Sequence, residues 1–75
     1  MGVKDAVVAR FLSICQERKI TINELANISG VTPSTAYSMF DSNRRDVSII
    51  TIKKFCDGLD MSLSEFFTNK IFDGE

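Results

Sequence analysis

Residues Thr21 to Phe40 read TINELANISGVTPSTAYSMF. The stretch carries the punctuation of two short helices joined by a tight turn. Thr21 offers a side-chain oxygen to an orphan backbone N–H at a helix start, and Glu24, three residues on, completes a capping box. Leu25, Ala26 and Ile28 follow within that first helix. Gly30 stands where helices commonly end in the left-handed region, which glycine enters without steric penalty. Val31 is an apolar plug in the turn. Thr32 and Pro33 restart a helix, the threonine as cap and the proline at the first helical position, where a missing N–H costs nothing. Ala36, Met39 and Phe40 recur at helical spacing and form the inner stripe of the second helix.

Two helices joined by a short glycine-containing turn make a helix-turn-helix. Ala26 is small where the second helix crosses, Gly30 makes the turn, and Val31, Ala36 and Met39 fill the angle between the helices. These offsets, and the run ELANISGVTPST, resemble the helix-turn-helix of the phage repressor, Cro and Xre family. Residues 48–59 followed by MSLSEFF resemble that family's fourth and fifth helices, so the resemblance extends from Val7 to Phe67. It implies an all-α fold, a five-helix lambda-repressor-like domain occupying residues 1–75. The helix-turn-helix would lie at about 21–40 and the C-terminal helix and tail at about 62–75. It also implies a cytoplasmic, sequence-specific regulator of transcription that binds double-stranded DNA as a repressor, from a bacterium or phage.

The second helix of such a motif enters the major groove and presents its N-terminal residues to base edges. Counted from the Thr32 cap, the outward positions are Pro33, Ser34, Thr35, Tyr37 and Ser38. The resemblance places base reading on Pro33, Ser34 and Ser38, with Thr32 and Thr35 near phosphates. None of these side chains makes the bidentate arginine–guanine or glutamine–adenine pairing, so direct readout is expected to be modest. DNA shape, water and Tyr37 would supply the remainder. Arg44 and Arg45 follow in the polar loop DSNRRDV, from which they can reach a phosphate or a narrow minor groove, with Asn43 beside them. The alternative for each of these positions is an ordinary solvated surface. Two family features do not carry over. The glutamine that opens the family's second helix is Ile22 here, with Asn23 next. The family's ion pair between the first helix and the end of the recognition helix falls on Cys15 and Phe40. Replacing both partners together is sound physics, because a buried ion pair is often exchangeable whole for packed apolar groups.

The remaining chain suits this frame. A leading helix is expected from about Val3 to Arg18, with Val7, Phe11 and Cys15 on one face, Val8 and Leu12 sharing it, Ile14 at its flank, and Arg10 and Glu17 toward water. Ser48 caps a fourth helix with an inner stripe of Ile49, Ile52, Phe55, Cys56 and Leu59, while Lys53 and Lys54 face outward and Gly58 weakens its last turn. Ser62 and Glu65 form a second capping box. Leu63, Phe67 and Ile71 are spaced by four, beside Phe66 and Phe72. These residues either close the core of a small domain or form the interface of a two-fold homodimer.

Composition sets the outer limits. Seventy-five residues make one domain near the lower limit for an independent core. Six Phe suggest a core of aromatic rings, and one Pro and four Gly leave few breaks. The net charge is −1 and the pI about 5.3, which counts mildly against a phosphate binder unless the charges are segregated. Asp57, Asp60, Glu65, Asp73 and Glu75 crowd the C-terminal end; a DNA binder would gather Arg18, Lys19, Arg44 and Arg45 around its recognition helix. Cys15 and Cys56 form no CxxC and the chain holds no His, so no zinc site and no cofactor are expected, and the thiols read as buried and reduced. Without His, a Ser or Cys nucleophile lacks its usual base, so no enzyme activity is expected. No apolar run approaches the roughly 18 residues of a membrane span. No signal peptide is expected, Ala6 argues against an N-myristoyl motif, and no small-molecule ligand is evident. Two other readings stay open: a protein-interaction module built on the same fold, and the DNA-binding part of a larger regulator.

Overall fold

The computed structural model describes residues 2–41, 43–44 and 46–73. Each helix begins where a cap can be read. Helix α1 spans Val3–Arg18, and the Asp5 carboxylate accepts from the Gly2 N–H at 3.2 Å. Helix α2, Ile22–Ser29, has the full Thr21–Glu24 capping box, with Thr21 N–H to Glu24 Oε1 at 2.8 Å and Glu24 N–H to Thr21 Oγ1 at 3.1 Å. It ends at Gly30 in the left-handed region (φ 67°), whose turn lets Val31 N–H reach Ala26 O at 3.0 Å. Helix α3, Pro33–Phe40, starts from the Thr32 cap with proline at its first position. Helix α4, Ile49–Gly58, is capped by Ser48, and helix α5, Leu63–Phe67, by the Ser62–Glu65 box. A 3₁₀ turn, Lys70–Phe72, closes the described chain. No strand occurs among the described residues, so the fold is all-α.

Helix α2 packs against both α3 and α4, and α1 against α2 and the terminal 3₁₀ turn. The small side chains Ala26 and Ala36 are fully buried, which lets the helices of the motif cross closely, and Val31 and Met39 fill the angle as read. The aromatic core is real. Phe11 meets Phe55 edge-on at 5.2 Å between centroids and Phe66 at 4.3 Å, and Phe72 lies 5.7 Å from Phe66 and 4.9 Å from Phe67. Phe72 therefore covers the fully buried Phe66, and the tail contributes to closing the core. Cys15 is buried and Phe40 is packed against the same core, so the position pair that lacks the ion pair is filled by apolar groups. Burial pushes the thiols of Cys15 and Cys56 above the ordinary range. The Arg18 charge opposes this at Cys15, and the Asp57 charge adds to it at Cys56.

Five expectations are corrected. Arg10 does not face water: its Nε donates to Phe66 O at 2.9 Å and its Nη2 to Glu65 O at 3.2 Å, with the guanidinium over the Phe66 ring. Arg18 is not free for the recognition helix, because its Nη1 donates to Leu59 O at 2.6 Å. Ile49 falls outside the core stripe and is 57% exposed, and Leu12 is likewise largely outside. Gly58 is more than a weak point. A Cβ there would overlap Ser29 Oγ and stand 3.0 Å from Ser29 Cα and 3.1 Å from Ile28 O, so the end of α4 crosses α2 at backbone distance.

The three corrected or unforeseen cations of α1 share a logic. Lys4 donates to the carbonyls of Asp41 and Arg44 just beyond α3, Arg10 to the last carbonyls of α5, and Arg18 to the carbonyl that follows α4. Carbonyls at a helix C-terminus lack intrahelical partners and carry partial negative charge, so a cation satisfies both deficits at once.

Candidate nucleic-acid interface

The outward face of α3 is built by a division of labour along eight residues. Ala36 and Met39 are buried and Phe40 half-buried, which turns Pro33, Ser34, Thr35 and Tyr37 to solvent and leaves Ser38 at the boundary. Thr32 is also exposed; it caps α3 and its hydroxyl donates to Thr35 Oγ1 at 2.9 Å. Ser34, Tyr37 and Ser38 make no side-chain hydrogen bond to another described residue, so their polar atoms are available to an outside partner.

Beside this face runs an open groove of about 200 Å³. Thr35, Ser38 and Met39 of α3 form one wall, and Arg44, Asp46, Val47, Ser48 and Thr51 form the other. The structure thus brings three of the expected site residues, Thr35, Ser38 and Arg44, to one place. Asn43 is exposed next to Arg44, with its N–H held by Asp41 Oδ1 at 2.9 Å. Arg44 N–H bonds Asp41 O at 3.1 Å. Arg45 lies outside the described residues, as does Glu75 of the acidic C-terminal group.

Ser48, Thr51 and Asp46 are groove residues that sequence reasoning assigned no interface role. Ser48 and Thr51 sit at the start of α4, the positive end of the helix, where Ser48 Oγ accepts from the N–H groups of Ile50 at 3.1 Å and Thr51 at 3.4 Å. The signal was available: a capping serine directly after a polar loop that follows the recognition helix. Asp46 works against an anion, and Arg44 shares its wall. Of the other cations, Lys53 pairs with Asp57 at 2.5 Å on the exposed face of α4, a contact of small energetic value. Among the described residues no group of acids and thiols is arranged to hold a metal ion, and no helix is long and apolar enough to cross a membrane.

A helix with a polar outward face, seated on a partner helix through small residues and flanked by an arginine loop, can lie in a groove of duplex DNA. Comparison with known proteins agrees. No curated protein and no solved structure matches the chain. The model of the Cro/C1-type helix-turn-helix DNA-binding domain matches residues 10–70, from within α1 to the 3₁₀ turn. The chain therefore belongs to the Cro/C1-type helix-turn-helix family of DNA-binding domains and is a DNA-binding regulator.

Proposed function

We propose that the protein is a cytoplasmic transcriptional repressor that occupies operator DNA with α3 in the major groove. The observation that carries this reading is the conjunction at the groove: Thr35 and Ser38 of α3 share one wall-to-wall surface with Arg44 and the N-terminal turn of α4. In this arrangement Pro33, Ser34 and Ser38 meet base edges, and Thr32, Thr35, Asn43, Arg44 and Arg45 serve the phosphates, with Tyr37 at the groove margin. Short hydroxyl side chains discriminate weakly, so shape and water carry much of the specificity. A homodimer paired through Leu63, Phe67, Ile71 and Phe72 would place two recognition helices on half-sites about 34 Å apart. Leu63, Phe67 and Ile71 remain only half-buried, which supports a pairing role.

Arg44→Ala tests the assignment. Loss of one phosphate contact weakens binding on all sequences alike and lowers the salt slope by about one unit. Equal slopes for variant and parent would remove Arg44 from the interface.

A second reading is favoured by one observation. Ile49 and Ile50, 57% and 66% exposed, stand at the start of α4 beside the groove. On a protein-interaction module these would be anchors for a partner, and duplex DNA would not bind even at low salt.

A further inference from the structure

Lys4 sits in the first turn of α1, far in sequence from the groove, yet its ammonium is spent on the backbone that carries Arg44. Nζ donates to Asp41 O at 2.5 Å and to Arg44 O at 2.6 Å. Asp41 is the residue that ends α3, so its carbonyl belongs to the negative end of the helix. The same carbonyl takes the Arg44 N–H, and the Asp41 carboxylate takes the Asn43 N–H. Lys4 therefore clamps both ends of a short turn whose own bonds are all local.

We propose that Lys4 is a positioning residue for DNA binding: it holds the Asp41–Arg44 turn so that the Arg44 side chain enters the groove at the height of Thr35 and Ser38. The inference rests on the DNA-binding face described above. The physical reason is entropic. A loop arginine loses rotamer and backbone freedom when it meets a phosphate, and a turn already fixed before binding lowers that loss. An ammonium on two carbonyls is also a charge-assisted contact, stronger than a neutral hydrogen bond.

Lys4→Met keeps the aliphatic stem and removes the donor. Its binding to a random duplex pool across a salt series is expected to fall roughly five- to tenfold at low salt, with the slope reduced by about one unit. Lys4→Arg, which keeps the donor, is expected to restore the parent slope, a rescue that a general loss of stability would not show. The cycle with Arg44→Ala decides the route. If Lys4 acts through Arg44, adding Lys4→Met to Arg44→Ala changes the slope no further. Additive losses would make Lys4 an independent phosphate contact and overturn the proposal, as would a Lys4→Met slope equal to that of the parent. A parent that fails to bind at low salt would overturn the DNA-binding reading itself, and this inference with it.

Discussion

A methyl group at Gly58 would overlap Ser29 Oγ and press on the α2 backbone at 3.0 Å. Glycine is ordinarily a liability near a helix end, since alanine is favoured by about 1 kcal/mol within helices. Here the crossing decides the sign, because overpacking against backbone costs about 1–3 kcal/mol. Gly58→Ala is expected to destabilise the protein by about 1–2 kcal/mol in denaturant unfolding; a variant as stable as the parent would show that the helices can part freely. The neighbouring Ser29 hydroxyl is buried without a hydrogen-bond partner among the described residues, a further sign of how closely the two helices meet. Gly58 also shows where sequence reading stops. Gly30 was legible because its role is local, a left-handed residue after a helical run. Gly58 was not, because nothing in the residues around it encodes the distance to Ser29, a residue 29 positions earlier.

At the scale of elements, the starts of four of the five helices, α2 to α5, were legible for the same reason. A cap is a bond between neighbours, and Thr21, Thr32, Ser48 and Ser62 each accept from the N–H groups that their positions predict. The expected inner stripe of α4 held from Ile52 to Leu59 and failed at Ile49, since periodicity gives a face but not how far along the helix the neighbour reaches. The outward face of α3 was legible from Ala36 and Met39. The contribution of α4 to the groove was not, because it depends on how α4 is placed after the loop. The 3₁₀ turn Lys70–Phe72 is the element whose role was left between core and interface. Phe72 packs on Phe66 and Phe67 within the chain. Phe72→Ala is expected to cost about 2 kcal/mol, below the range for a fully buried phenylalanine because Phe72 is half-buried. The loss should be the same at every protein concentration if the ring serves only its own chain. A concentration-dependent midpoint would instead place it between two copies.

For the whole molecule, the net charge of −1 hides the arrangement that matters. Lys4, Arg10 and Arg18 are directed inward to helix-end carbonyls, and Lys53 faces Asp57. A count of lysines and arginines therefore overstates what is available to DNA, and composition could not reveal which ones are tied. Stability has its own titration. Burial raises the thiol pKa of both cysteines above 9.0, so near and above that pH the unfolded chain loses thiol protons that the folded chain keeps. Their contribution is complete at neutral pH and declines as pH rises through the thiol range. Unfolding free energy is expected to fall between neutral and alkaline pH, and a variant combining Cys15→Ala with Cys56→Ala should show a flatter decline. Parallel declines in the two proteins would assign the loss to other groups.

The face itself is tested most directly by recording backbone amide shifts while duplex DNA is added to the protein. The interface described above predicts that the shifts which move cluster on Ser34, Thr35, Tyr37, Ser38, Asn43 and Arg44 and on the first turn of α4. Shifts clustered instead on α5 and the 3₁₀ turn, with the α3 amides unmoved, would contradict it.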